Sequence, residues 1–184
     1  MTAAAETAAV VAAVAAKTAR RQYLTFQLGE ECYGIDILRV REIRGYGAVT
    51  PVPGAPPFVK GVLNLRGTVI PVIDLRLRLG MPESQESRFR VIVVVNLEPG
   101  GGGSKVAGIL VDAVSEVAEF GEDELRDPPE FGSLSGTAFV RAIVPAGDRL
   151  VVLIDLEPLW TESPGDGGAA SKRTEGESCV TGTI

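Results

Sequence analysis

The sequence predicts an all-β protein made of small β-barrels or of a sandwich, with only short helical turns. Short apolar runs, many of them alternating with polar residues, follow one another closely with little helical pattern between them. Two groups of residues from the first half recur in the same order in the second half. No apolar run approaches the roughly 20 residues of a membrane-spanning helix, so we expect the protein to reach a membrane only through a partner.

The first half of the chain contains predicted strands at residues 23–28, 32–35, 40–44, 62–65 and 68–73. In the first strand Leu24, Phe26 and Leu28 share one face, and a turn at residues 29–31 leads into the second. Prolines at positions 51, 53, 56 and 57 leave room for little more than one helical turn near residues 58–60. The last two strands are joined by a tight connection at Arg66-Gly67.

The second half contains predicted strands at residues 90–97, 105–111, 114–120, 139–144 and 149–154, followed by a short closing helix at 155–160. The glycines at 100–103 precede Ser104-Lys105 and a strand, whereas a phosphate-binding loop has Gly-Lys-Ser/Thr at the start of a helix. We therefore expect a flexible hairpin tip there.

A weak internal repeat relates the two halves. Residues 34–37 and 40–43 align without gaps with residues 108–111 and 114–117, and residues 69–75 align with residues 150–156. Chance similarity between β-rich stretches is the alternative explanation. We prefer two copies of a small barrel, with a joint at residues 79–88, where glycine, proline and several polar residues interrupt the pattern.

The two ends of the chain differ in composition from the middle. Residues 2–19 are mostly alanine, and Glu6 precedes the apolar residues where a secretory signal would have basic ones. Residues 161–184 are rich in Ser, Gly, Thr and charge, so burial cannot offset the entropy of ordering them. We expect a flexible arm at 1–20, a domain of two barrel subdomains at 21–160 and a disordered tail at 161–184.

Charge and composition exclude several classes of protein. The formal net charge is −6 without a large basic cluster, which disfavours a nucleic-acid partner. Cys32 and Cys179 lie in unlike contexts and form neither a disulfide framework nor a set of metal ligands, which is typical of a reducing cytoplasm. The chain has no histidine, so Ser-His-Asp and Cys-His catalysis and histidine-ligated zinc are excluded.

The remaining candidates for chemistry have structural explanations. Asp74 and Asp155 occupy equivalent places in the repeat, each between a strand and a possible helical turn, where an aspartate caps a helix by accepting bonds from its first amides. Residues 122–124 are expected to form a solvated turn, because a calcium loop has alternating ligands and a glycine. Cys32 has no nearby base and is expected to be a buried cysteine. We predict no catalytic residue, no metal and no cofactor.

Four blocks of sequence stand out: Tyr33–Ile37, Val40–Gly45, Phe58–Gly67 and Pro71–Leu75. Together they resemble CheW, the family of bacterial chemotaxis coupling proteins. The resemblance continues through Val106–Asp112 and Arg126–Phe131 to Leu153, and it leaves out the alanine-rich arm and the polar tail.

The resemblance implies two SH3-like five-stranded β-barrels packed side by side and a scaffold that is not an enzyme. Such a scaffold couples methyl-accepting chemotaxis receptors to the histidine kinase CheA in signalling arrays, so the protein is expected in the cytoplasm, recruited to receptor arrays. The regulatory domain of CheA has the same fold and alternates with CheW-like proteins in rings. A groove between the barrels takes the helical-hairpin tip of the receptor.

The receptor-binding residues that the resemblance implies are Val40, Glu42, Gly61, Arg66, Val91 and Val117. Arg66 should project from its tight connection; the alternative is that it pairs with a carboxylate of its own barrel. For Val40 the alternative is core packing. Glu42 faces away from Ile43 and is expected to be exposed.

The ring contacts with the kinase are expected from Arg126, Glu130 and Phe131 on the second barrel and from Val49 and Val52 on the first. Phe131 would be an aromatic anchor on a loop; the alternative is that it covers a barrel end.

Two other functions stay open at this point. One is an adaptor of the same fold in a different two-component pathway, such as pilus motility or developmental signalling. The other is a ligand-binding barrel, which would have a concave polar pocket with perturbed ionisable groups.

Overall fold

Strands dominate the structure, a computed structural model that describes residues 20–47, 49–83, 90–98, 103–129 and 139–161. The strands are β1 (Arg20–Leu28), β2 (Glu31–Asp36), β3 (Val40–Gly45), β4 (Val59–Leu65), β5 (Thr68–Asp74), β6 (Val91–Leu97), β7 (Lys105–Val111), β8 (Ala113–Gly121), β9 (Val140–Ala146) and β10 (Arg149–Ile154). A 3-10 turn (Ile37–Arg39) joins β2 to β3, and the short helices α1 (Leu75–Arg78) and α2 (Glu157–Thr161) follow β5 and β10. The expectations for residues 1–19 and 162–184 lie outside the described residues.

Two five-stranded sheets confirm the all-β prediction. The first sheet has the order β8-β1-β2-β10-β9 and the second the order β3-β6-β7-β5-β4. Each predicted strand is present, and Arg66 and Gly67 join β4 to β5 as predicted. The helical turn expected near residues 58–60 is wrong, because Val59 already pairs with Ile73 and begins β4.

The internal repeat is visible in the strand pairing. Each strand of the first half has a counterpart five strands later, so that β1 corresponds to β6 and β3 to β8. Replacing every strand of the first sheet by its counterpart gives the order of the second sheet. Each sheet also contains one parallel pair in the equivalent register: Gly34 lies opposite Leu153, and Gly108 lies opposite Val72. These are the positions that the sequence alignment made equivalent.

The predicted joint at residues 79–88 separates the two repeats but not the two sheets, so as a boundary between barrels it is wrong. Strands β5 and β6, on either side of it, both belong to the second sheet. The chain enters the second sheet after β2 and returns to the first after β7. Each half of the sequence therefore supplies strands to both sheets, because each parallel pair joins a strand from one half to a strand from the other.

The two sheets share a central hydrophobic cluster. It contains Leu24 and Phe26 from the first sheet, Val93 and Ile109 from the second, and Leu75 from α1. Two smaller clusters fill the individual sheets, one around Tyr23 and Phe120 and the other around Ile70 and Leu110. Because burial of apolar surface is the main stabilising term, the central cluster holds the sheets together.

Capping at the two short helices is as predicted. Asp74 Oδ1 accepts from the amide of Leu77 at 3.3 Å, and Asp155 Oδ1 accepts from the amide of Glu157 at 3.3 Å. Residues 122–124 form the expected turn, with Glu122 exposed. Within the described ranges, neither of the helices has the length and apolar character that crossing a membrane requires.

Candidate functional site

Arg66 lies at the tip of the β4–β5 hairpin and reaches β3. Arg66 and Gly67 have φ angles of 51° and 88°, as in the two-residue turns that connect antiparallel strands, and the Gly67 amide donates to Asn64 Oδ1 at 2.9 Å. The Arg66 side chain is 85% exposed, and its Nη2 donates to Glu42 Oε2 at 3.1 Å. The carboxylate pairing left open by the sequence is therefore present. It orients the guanidinium without burying it.

Glu42 is more covered than the sequence suggested. Its side chain is 25% exposed, with Arg44 Nε 3.7 Å from Oε1 and Arg66 on Oε2, whereas Ile43 is 46% exposed. The expectation of a freely exposed Glu42 is wrong because two arginine side chains cover it. Ile43 is open because β3 is the edge strand of its sheet.

Val40 and Val91 contribute only part of their surface. Both are half-buried and pack against the central cluster. Val40 lies opposite Val95 at the start of β3, and Val91 lies opposite Gly45 at its end. Core packing of Val40, the alternative considered above, is therefore present, and a partner could contact the exposed remainder.

Gly61 lies on β4 where the segment around Thr50 pairs with that strand and closes the second sheet. It is buried with a φ of 144°, and a Cβ placed on it would lie 2.1 Å from the carbonyl oxygen of Thr50. Thr50 and Val62 exchange backbone hydrogen bonds of 2.9 Å beside it. The glycine therefore lets the segment around Thr50 approach β4, a structural requirement that is independent of any partner.

Val117 lies on β8 of the first sheet, opposite Leu24, and is 48% exposed. The other predicted receptor-binding residues all lie in the second sheet or its β4–β5 turn. Among the six, Glu42 and Arg66 are joined by a side-chain ion pair. The structure thus places the predicted set on both sheets, with its charged pair on the second.

Three of the predicted kinase contacts, Val49, Val52 and Arg126, lie in or beside the segments that close each sheet. Val49 and Val52 flank Thr50, and Arg126 exchanges backbone hydrogen bonds of 3.0 and 2.8 Å with Ile143. Val62 and Ile143 hold the same position in the repeat, so Thr50 and Arg126 are equivalent.

The side chains at these closing segments differ in exposure. Val49 is half-buried against the second-sheet cluster, whereas Val52 and Arg126 are exposed. Glu130 and Phe131 lie outside the described residues.

An ion pair lies at each of the two crossings between the sheets. Arg76 of α1 pairs with Asp112, between β7 and β8, at 2.5 Å, and the amide of Gly29 in the β1–β2 turn donates to the same carboxylate at 2.7 Å. Glu157 of α2 pairs with Arg39, between β2 and β3, at 2.8 Å. Arg76 and Glu157 are equivalent in the repeat but carry opposite charge. Together the pairs help to fix how the two sheets sit against each other.

Arg78 joins equivalent aromatic residues of the two repeats. Its guanidinium carbon lies 5.0 Å from the ring centre of Phe58 and 5.2 Å from that of Phe139. The Phe58 and Phe139 carbonyls accept from the equivalent amides of Asp74 and Asp155. A buried cation between aromatic faces is a favourable arrangement. The contact therefore stabilises the association of the two halves of the chain.

Sequence reasoning missed several exposed apolar side chains. These are Leu38, Tyr46, Val69 and Leu150. Leu38 is in the 3-10 turn that links the sheets, and Val69 and Leu150 are equivalent in the repeat. An apolar strand pattern is typical of buried residues, and only the sheet pairing shows that Val69 and Leu150 lie on open faces.

The described part of the chain offers no group of three His, Cys, Asp or Glu side chains that could hold a metal ion. Cys32 is half-buried, and burial raises the pKa of its thiol, which makes it a poor nucleophile. Cys179 lies outside the described residues.

Comparison with known proteins agrees with this arrangement. A family model described as a CheW-like domain matches residues 22–163. The chain is 40% identical over 151 residues to Chemotaxis protein CheW of Klebsiella aerogenes, covering 82% of this chain and 88% of that protein. It is 37% identical over 143 residues to Probable chemotaxis protein CheW of Rhizobium etli, covering 78% and 89%. The crystal structure of scaffolding protein TtCheW from Thermoanaerobacter tengcongensis superposes with a TM-score of 0.70 at 36% identity, covering 80% of this chain and 91% of that one.

Proposed function

This chain belongs to the CheW family of chemotaxis coupling proteins, and from this premise we propose that it joins the tip of methyl-accepting receptors to the regulatory domain of the histidine kinase CheA. It is an adaptor, and its two sheets correspond to the two SH3-like barrels of that family. The family is one of non-catalytic scaffolds, so its activity lies in holding two proteins in register. We place it in the cytoplasm, recruited to receptor arrays.

The Glu42–Arg66 pair is the observation that carries the proposed receptor contact. A guanidinium that is held by one carboxylate and is otherwise exposed has further N–H groups to offer a partner. The turn fixes its backbone and the pair with Glu42 restrains its side chain, so less side-chain entropy is lost on binding. The exposed Ile43 and Val117 supply apolar surface of the kind that a receptor helix needs.

The equivalent closing segments support the proposed kinase contacts. An adaptor inserted in a ring has to touch a neighbour on each side, and the repeat provides one closing segment on each sheet. Val52 is exposed beside one segment, and Arg126 is exposed in the other. Ring contacts through both segments would give the scaffold two similar ends that face in different directions.

A three-component reconstitution tests the proposal. The purified chain, CheA and a receptor cytoplasmic fragment are mixed singly, in pairs and together, and kinase autophosphorylation is followed. We expect activation only in the complete mixture. Autophosphorylation that rises equally without the chain, or a chain that binds neither protein at micromolar concentration, would contradict the proposal.

The ring contacts are tested separately by sedimentation of assembled arrays. Val52→Glu and Arg126→Glu each place a negative charge on one closing segment, so we expect less material in the array pellet. Binding of the receptor fragment should be unchanged. Asp148→Lys, a charge change in the exposed β9–β10 turn, serves as the control and should leave the pellet intact.

A further inference from the structure

A polar cavity of about 210 Å³ opens where β2 and β10 end. Asp36, Asp155 and Tyr23 line it together with Arg21 and Arg141. The Tyr23 hydroxyl is buried and has no hydrogen-bond partner in the part of the chain that the structure describes. Asp155 uses Oδ1 to cap α2, and Asp36 uses Oδ1 to accept from the Leu38 amide. The cavity therefore combines carboxylates that each have a second oxygen with a hydroxyl that lacks a partner.

The internal repeat contains a second position equivalent to this cavity, and side chains occupy that position. Asp155 is equivalent to Asp74 in the sequence alignment. Tyr23 lies opposite Asp36 as Ile92 lies opposite Leu110, and two residues earlier Arg21 corresponds to Arg90. Lys60 and Arg141 correspond because each is the residue left unpaired where the strand register shifts, Lys60 in the β4–β5 hairpin and Arg141 in the β9–β10 hairpin.

The filled copy is a closed ion-pair cluster. Arg90 donates to Asp74 Oδ2, and both side chains are almost completely buried. The ammonium of Lys60 lies 4.0 Å from the same carboxylate oxygen. In this half of the molecule, a guanidinium occupies the place that is open in the other half.

In the open copy the equivalent arginine points elsewhere. Arg21 contacts Glu122 on the surface at 3.4 Å, and both side chains are about half exposed. Exposed pairs of this kind are weak because water screens them. Entry into the cavity would bring the guanidinium to the free side of Asp155 and would place a polar group near the Tyr23 hydroxyl, which is costly to leave without a partner.

The other charged groups around the cavity are compatible with this move. Arg39 is already held by Glu98 at 3.1 Å and by Glu157 at 2.8 Å. Arg141 has no ion pair among the described residues, so it remains a cation at the cavity, and Asp36 is the second carboxylate available to balance it.

We propose that this cavity is a guanidinium-binding site and that the Arg21 side chain enters it, exchanging Glu122 for Asp155. The exchange reproduces the Arg90–Asp74 pair of the other repeat. It ties β1 to the residue that caps α2, the helix whose Trp160 packs against the central cluster. The inference does not depend on the proposed receptor contact, because it concerns pairing within the chain.

Crystal structures of Glu122→Gln and of the matched control Glu119→Gln test the proposal. Glu119 is a surface glutamate on β8, three residues before Glu122, and it accepts from Gln22 and not from Arg21. Removing the Glu122 charge should leave Arg21 with Asp155 as its carboxylate, so we expect the guanidinium inside the cavity in Glu122→Gln and at the surface in the control. A guanidinium that stays outside in Glu122→Gln, with only water in the cavity, would overturn the proposal.

A double-mutant cycle gives an independent reading in solution. In the Glu122→Gln background, Arg21→Met and Asp155→Asn are made singly and together, since asparagine keeps the helix cap. We expect the effects on the unfolding equilibrium constant to be coupled by about threefold or more. Effects that multiply independently would count against the site even if both variants fold.

Discussion

Gly61 of β4 lies so close to Thr50 that a methyl group on the glycine would overlap the Thr50 carbonyl oxygen. Gly61→Ala should therefore destabilise the protein by about 2–4 kcal/mol, since it adds a backbone clash to an unfavourable φ. Urea unfolding followed by Trp160 fluorescence measures the change. Gly45→Ala is the control, because a Cβ at Gly45 meets nothing within 4 Å, and it should change stability by less than about 0.5 kcal/mol. Equal effects of the two substitutions would show that the second sheet does not close at Gly61.

Arg66→Ala should weaken the coupling between receptor and kinase while leaving the protein folded. The Arg66 side chain is 85% exposed, so losing its pair with Glu42 should cost less than about 1 kcal/mol, while activation of CheA by the receptor fragment should fall. Arg41→Ala, which removes an exposed arginine from β3, is the control and should keep both properties. If Arg66→Ala unfolds at a much lower urea concentration than the wild type, its role is structural.

Asp74→Asn should be far more harmful than the equivalent Asp155→Asn. Asp74 is completely buried against Arg90, and leaving a buried guanidinium without its partner costs about 3–5 kcal/mol. Asp155 caps α2 from a half-buried position, and asparagine caps a helix as well as aspartate does. Urea unfolding of both variants gives the comparison. Similar midpoints would show that Asp74 is not the main partner of Arg90, whose Nε also lies 3.9 Å from Asp112 Oδ1.

Cys32 should react slowly with alkylating agents at neutral pH. Burial raises the pKa of its thiol, Arg149 opposes this and Glu116 adds to it. A raised pKa lowers the fraction of thiolate, the reactive form, at any pH below it. In a Cys179→Ser variant the rate with iodoacetamide should be lower than that of a cysteine peptide and should keep rising above about pH 8.5, the ordinary thiol value. A rate that levels off below that pH would show a lowered pKa instead.

Local patterns predicted the strands well but could not predict all their surroundings. The alternation of Leu24, Phe26 and Leu28 predicted the face of β1 that lies in the central cluster, because side chains alternate along a strand whatever it pairs with. The cover over Glu42 depends on Arg66, which reaches it from a different hairpin. Local alternation carries no information about such a contact.

The repeat was visible in the sequence, but the sharing of strands was not. Similar segments indicated two equivalent units, and the parallel pairs Gly34–Leu153 and Gly108–Val72 confirm the alignment. Which copy of a strand completes which sheet depends on pairing between distant parts of the chain. Either choice satisfies the same local pattern, so the predicted joint marked the repeats and missed the sheets.

The contribution of strands from each half of the chain to both sheets bears on the evolutionary origin of the fold. A half-length ancestor with the same strand order would have formed a two-fold homodimer by swapping strands, and duplication followed by fusion of its gene gives the present arrangement. Neither half then contains a complete sheet of its own. Fragments made by cutting the gene between codons 83 and 90 should consequently be unfolded when expressed alone and should complement each other when expressed together.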